Sequence, residues 1–263
     1  MRNQNRKDRV KFTGKTECNI GIKGSFMIAA IGSDGIIVAS ETRGNIFDLR
    51  DKKETPIAYF DGVQKEFIIG KTVLASTGKG AIGNVFFSAF INDFKSNLIN
   101  YPPVDIFFNV LSDYYKQKIP QSLHHEIESN LMLVAGFKDG QPMICYFQNS
   151  EINCIQNDGF IESAATFFQD KYSKNHSCDV LGKMAIDAIK DYSKQNDNWK
   201  TIGDEVSVIK ITKENEPIWL NKIDFIKWIY ITDLIDEYNE GDFQISLIPP
   251  FSKKDLENVF ENK

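Results

Sequence analysis

Two apolar runs, Phe26-Met27-Ile28-Ala29-Ala30-Ile31 and Ile36-Ile37-Val38-Ala39-Ser40, meet across Ser33-Asp34-Gly35, and they limit the fold more than any other stretch. They are apolar on successive residues rather than on alternate ones, which suits strands covered on both faces. With an Asp-Gly turn between them, they predict a β-hairpin buried in the middle of a domain. Gly24-Ser25 precedes this hairpin and a polar Glu41-Thr42-Arg43 follows it. A chain of 263 residues, 42% of them hydrophobic, can bury the core such a hairpin needs. One large domain with appendages is expected.

The flanking segments fill in the domain. Residues 1 to about 15 are polar and basic, too poor in apolar area to order themselves, and read as a solvated tail. Cys18-Asn19-Ile20-Gly21-Ile22 could prolong the first strand backwards. From Gly44 to Gln64, charge and Pro56 suggest a surface excursion. Lys65 to Ile69 and Val73 to Gly78 read as strands. Helical spacing then covers 79–97 and, after Pro102-Pro103, 103–118. Strands at Leu131 to Phe137, Met143 to Phe147 and Ile152 to Gln156 follow, with Lys138-Asp139-Gly140 as a hairpin turn. Helices are predicted over 162–172 and 179–193, the latter capped by Asp179, and a strand over 205–212. Beyond Lys213 the chain still carries Trp219, Phe225, Trp228, Tyr230 and Phe243, too apolar for a free tail.

Charge and cysteine usage narrow the function. The formal net charge is −5, with acids and bases interspersed, so neither a nucleic acid nor a membrane is expected as partner. Cys18, Cys145, Cys154 and Cys178 show no C-x-x-C spacing, and His124, His125 and His176 fall in no metal-ligand pattern. Reduced cysteines, a cytoplasmic location and no metal or cofactor are the expectations. No window approaches the roughly 20 apolar residues of a membrane span, and the N-terminus lacks the apolar core of a signal peptide.

The run Gly35-Ile36-Ile37-Val38-Ala39-Ser40-Glu41-Thr42-Arg43 resembles the G-[VI]-[VI]-[VL]-A-x-[DE]-x-R segment of the proteasome subunit family. Sixteen residues before Glu41 stands Ser25, preceded by Gly24, at the spacing that separates acid from nucleophile in that family's catalytic subunits. Lys65-Glu66-Phe67-Ile68-Ile69 is similar to its K-x-F-x-I strand, Leu131 to Phe147 to its LLVAG meander, and Thr201 to Thr212 to its closing SGGxVxVxxI segment. The resemblance covers roughly residues 24 to 212. It implies an α+β fold, a four-layer αββα sandwich of two mainly antiparallel sheets, with 1–23 as tail or propeptide and 213–263 as an extension on the domain or on a neighbouring subunit. It also implies assembly with copies of itself or related ring subunits, an expectation the aromatic residues of 79–97 and 103–118 support.

The same resemblance assigns chemistry. Ser25 would be the nucleophile of an N-terminal-nucleophile hydrolase, freed when the Gly24–Ser25 bond breaks. Its released α-amine, with a pKa of about 7.7–8.0, can serve as base near neutral pH. Lys65 would keep the site positive, Glu41 would hold Lys65, and the backbone N–H of Gly78, at a strand-to-helix junction, would receive the oxyanion, a donor worth about 3 kcal/mol elsewhere. Ser163 and Thr201 fall near two auxiliary hydroxyl positions, with Asn198 where an aspartate is usual. Serine replaces threonine, Glu41 replaces aspartate, and Phe26 follows the nucleophile where a small polar residue is usual. A non-catalytic ring subunit of the same fold therefore stands beside the peptide hydrolase as a reading, and Cys18 as a nucleophile of a different amidohydrolase beside both.

Overall fold

A computed structural model describes residues 10–12, 19–24, 26–148, 151–163, 168–195 and 198–261. The strands are β1 (Ile20–Gly24), β2 (Met27–Gly32), β3 (Gly35–Glu41), β4 (Gly44–Asp48), β5 (Pro56–Phe60), β6 (Glu66–Ile69), β7 (Thr72–Lys79), β8 (Ala81–Ile82) and β9 (Val85–Phe86). Helices α1 (Phe87–Asn97), α2 (Phe107–Lys118) and α3 (His124–Glu128) come next, then β10 (Leu131–Lys138), β11 (Gln141–Gln148), β12 (Glu151–Gln156) and β13 (Phe160–Glu162). The chain continues through α4 (Cys178–Ser193), β14 (Val206–Ile211), β15 (Ile218–Asn221), α5 (Ile231–Glu240), β16 (Ser246–Leu247) and α6 (Lys253–Phe260).

This is an α+β fold built on antiparallel sheets. One sheet has nine strands in the order β12-β11-β10-β7-β1-β4-β5-β16, with β6 also on β7; the other has five, β13-β2-β3-β14-β15. The predicted hairpin is β2–β3, in register from Met27 opposite Ser40 to Gly32 opposite Gly35. Every residue of β3 is buried, as an unbroken apolar run requires. Met27, Ala29, Ile31 and Val38 on one side of the hairpin pack with Val73, Ala75, Leu133 and Ile144 of the larger sheet. Ile28, Ala30, Ile37 and Ala39 on the other side pack on Leu181, Ala185 and Ile189 of α4. The outer side of β7 and β10, through Leu74 and Val134, packs on Phe90, Phe94, Phe107 and Leu111 of α1 and α2.

Several expectations are corrected. Residues 44–64 are not a surface excursion: Ile46, Ile57, Ala58 and Phe60 are buried, and β4 and β5 pair antiparallel within the large sheet. Ile20–Gly24 does not prolong β2. It is a separate strand of the large sheet, so the tail expected over 1–23 ends in ordered structure, and the chain passes from the large sheet to the small one between Gly24 and Met27. Of the helix expected over 162–172, Glu162 lies in β13 and Gln169–Lys171 form a single 3-10 turn; 164–167 lie outside the described residues. Ser177, rather than Asp179, caps α4, its hydroxyl accepting from the Val180 N–H. Cys145 and Cys154, opposite one another in the β11–β12 pair, are joined by a disulfide, against the expectation of reduced cysteines.

Beyond Lys213 the chain adds β15 to the small sheet and β16 to the large one. Trp228, Ile231, Leu234, Leu256 and Val259 close over Ile22, Ile46 and Phe60. Phe87, Phe90, Phe94, Phe107 and Phe108 are all buried within their own chain. Those aromatics therefore do not expose the apolar surface from which assembly was expected. No helix among the described residues is long and apolar enough to cross a membrane.

Candidate functional site

The site is set by how two strands, β6 and β1, meet along one side of β7. β6 pairs with its first half, Glu66 opposite Ala75, and β1 pairs with its last residues, Gly24 opposite Gly78 and Lys23 opposite Lys79. The start of β6 and the end of β1 are thus brought nearly end to end, with Ser76 and Thr77 at the joint. Ser76 N–H donates to the Lys65 carbonyl at 3.0 Å, which fixes Lys65 at that joint. On its other side β1 is paired with β4 from Ile20 opposite Asp48 to Lys23 opposite Asn45. Residues 20–24 therefore lie as an extended peptide between β4 and β7.

Three of the four sequence-predicted site residues converge here. Ser25 lies outside the described residues, as does Cys18. Lys65 and Glu41 form an ion pair, Nζ to Oε1, with the lysine side chain 5% and the glutamate 0% exposed. Glu41 is held by backbone as well: Oε1 accepts from Phe26 N–H at 3.3 Å, and Oε2 from Arg43 N–H and from Gly203 N–H at 3.3 Å. The carboxylate thus grips the chain one residue beyond Ser25 while neutralising the lysine, an arrangement that offsets the cost of burying both charges. A Cβ built on Gly24 would lie 2.6 Å from Lys65 Nζ and 2.5 Å from its Cε. Only glycine leaves room for the ammonium against the backbone that leads into Ser25.

Gly78 is across from Gly24, yet it is inside β7 and not at a strand-to-helix junction. The residues after it form the small β8–β9 hairpin, and α1 begins only at Phe87. Gly78 has φ +113°, and a Cβ there would meet Asn130 Oδ1 at 2.5 Å. Asn130 holds this end of β7 from both sides: its Oδ1 accepts from Lys79 N–H and its Nδ2 donates to Lys79 O, at 2.6 and 3.1 Å.

Surrounding residues lock the frame. Arg43 makes a two-pronged ion pair with Asp61, at 2.8 and 2.9 Å, and its guanidinium lies 3.7 Å over the Tyr59 ring. Asn45 Nδ2 donates to Thr201 O at 2.8 Å and to Lys23 O at 3.3 Å, tying β1 to the loop before β14. Ser163 Oγ accepts from Met27 N–H at 2.9 Å, two residues past Ser25, so this candidate hydroxyl is brought to the site. Thr201 Oγ1 donates to Asn198 O at 3.3 Å, within its own turn.

Two groups were not picked out in the sequence. Thr77 Oγ1 donates to the Gly24 carbonyl oxygen at 2.8 Å. Glu66, next to Lys65 but fully buried, accepts from Ser207 Oγ at 2.9 and 2.8 Å. Burial pushes the Glu66 carboxyl up to about 8, against the opposing pull of the Ser40 and Ser207 hydroxyls and the Lys65 charge. A charged residue at a strand position that alternates into the core was the available signal for Glu66; for Thr77 it was a hydroxyl directly before the glycine. Gly24, Lys65, Ser76, Thr77 and Gly78 line a small pocket with Phe87 at its wall. Among the described residues no group of three or more His, Cys, Asp or Glu could hold a metal.

No protein-family model matches the chain, and a search of curated proteins returns no match.

Proposed function

We propose that this chain is a proteasome-like N-terminal-nucleophile hydrolase that cleaves its own Gly24–Ser25 bond and thereafter hydrolyses peptide or amide bonds. The observation that carries this reading is the meeting of Gly24, the Lys65–Glu41 pair and Gly78 at the joint between β1, β6 and β7. A buried ammonium packed against Gly24, the residue preceding Ser25, favours loss of the serine proton. The packing of α1 and α2 on the outer side of the large sheet, and of α4 on the outer side of the small one, supports a four-layer αββα sandwich of this hydrolase class.

The chemistry follows from balance of bonds. Ser25 Oγ attacks the Gly24 carbonyl carbon; the C–N bond breaks, the hydroxyl proton ends on the departing amine, and an ester joins Gly24 to Ser25. Water then hydrolyses the ester, leaving a carboxylate on Gly24 and a free amine on Ser25. With residues 20–24 gone, the gap between β4 and β7 accepts an extended peptide by the same strand pairing, and the α-amine acts as base in later turnovers. Release of short fluorogenic peptide amides by the wild-type chain, absent in Ser25→Ala, is the test of this activity.

A second reading, a ring-forming subunit without catalysis, is favoured by the pairing of β1 on both sides within the large sheet. A chain that keeps β1 seated assembles but turns over nothing. In either case the expected partners are copies of the chain or related subunits.

A further inference from the structure

We infer that Thr77 supplies a second oxyanion donor, from its side chain, to the carbonyl attacked during self-cleavage. This inference rests on the hydrolase reading above. Thr77 is buried, and its Oγ1 donates at 2.8 Å to the Gly24 oxygen, 53 residues away in sequence. A threonine that merely satisfies its hydroxyl in this strand finds a carbonyl close by, as Thr72 does with Ile69 O at 2.8 Å. Thr77 instead reaches across to the oxygen that becomes an oxyanion when Ser25 Oγ adds to its carbon.

The direction of approach gives the hydroxyl a role the backbone does not fill. Val73 and Ala75 face the core between the sheets, and the alternation of β7 turns Thr77 to that side. Gly78 is opposite Gly24 in the plane of the large sheet. Two donors from different directions, one in the sheet plane and one from the inter-sheet side, match the oxygen of a tetrahedral adduct better than that of a planar amide. The position is held from both ends, by Ser76 N–H on Lys65 O and by Asn130 on both backbone groups of Lys79. A preorganised donor of this kind costs nothing to reorient as charge develops.

The experiment follows loss of residues 1–24 from full-length chain by mass spectrometry, in wild type, Thr77→Ser and Thr77→Val. Thr77→Ser, which keeps the hydroxyl, should process within about threefold of wild type. Thr77→Val, which keeps the shape, should slow processing on the order of 100-fold with an unchanged melting temperature. If Thr77→Val fails to fold, Thr77→Ala takes its place with the same expected rate. Processing of a folded Val or Ala variant at the wild-type rate overturns the role of Thr77 while leaving the hydrolase reading intact. A wild-type chain that never loses residues 1–24 overturns both.

Discussion

The Lys65 ammonium and the Glu41 carboxylate form a buried ion pair that links the start of β6 to the end of β3. Their surroundings are unequal. Glu41 also accepts from the backbone N–H groups of Phe26, Arg43 and Gly203, whereas the hydrogen bond found for Lys65 Nζ goes to Glu41. Removing the carboxylate therefore strands the lysine more completely than the reverse. Glu41→Ala should lose about 3–5 kcal/mol and Lys65→Ala less, on the order of 1–3 kcal/mol, because backbone donors still hold the anion. Urea unfolding of both variants checks the order; equal losses would contradict it. Lys65→Ala should also stop processing at Gly24–Ser25.

Gly24 tests the geometry with a single methyl group. In Gly24→Ala the added Cβ meets the flexible end of Lys65 first, at 2.5 and 2.6 Å, and the Arg43 carbonyl oxygen less closely, at 3.2 Å, so the ammonium is displaced while the sheet needs only a small shift. The variant should melt within a few degrees of wild type yet process at least tenfold more slowly. Wild-type processing by Gly24→Ala would mean that the ammonium does not need its place beside Gly24.

Glu66 predicts a pH dependence of stability. Its folded pKa, about 8, is above the ordinary glutamate value of 4.5. The folded chain thus holds a proton there that the unfolded chain has released. Its contribution is complete below about 4.5 and is lost as pH rises to about 8, at about 1.4 kcal/mol per pH unit. Glu66→Gln, neutral in both states, should remove this component: its stability relative to wild type should rise between pH 5 and 8 and level off above. Parallel pH profiles for the two proteins would show that Glu66 titrates normally.

The Cys145–Cys154 bridge closes a short loop at the edge of the large sheet, with sequence separation 9. A loop of that size predicts about 2–3 kcal/mol by the chain-entropy model. Cys154→Ser should cost no more than this and leave processing unchanged, since β7 and β1 are not its neighbours in the sheet. Loss of processing in that variant would tie the two regions together.

Much of the architecture was legible because the hydrophobic pattern carried it. The unbroken apolar runs of β2 and β3 and the Asp139-Gly140 turn, with φ +50° and +77°, are local signals that the fold obeys. Strands β4 and β5 were missed because charge and Pro56 masked the apolar residues Ile46, Ile57, Ala58 and Phe60. The bond between Thr77 and Gly24, and the seat of β1 between β4 and β7, depend on pairings between distant parts of the chain that periodicity does not encode. Lys65 and Glu41 were legible as candidates only through spacing and resemblance; that they touch is a property of the folded sheets. The Cys145–Cys154 pairing escaped for the same reason, since it depends on the register of β11 against β12.

Self-cleavage is the central claim, and the intact mass of the purified, assembled protein after prolonged incubation tests it most directly. Wild type should lose the mass of residues 1 to 24 and begin at Ser25, while Ser25→Ala keeps its full length under the same conditions. A wild-type chain that retains Met1 through Gly24, with β1 still protected from hydrogen exchange, would contradict the hydrolase account and leave a structural subunit in its place.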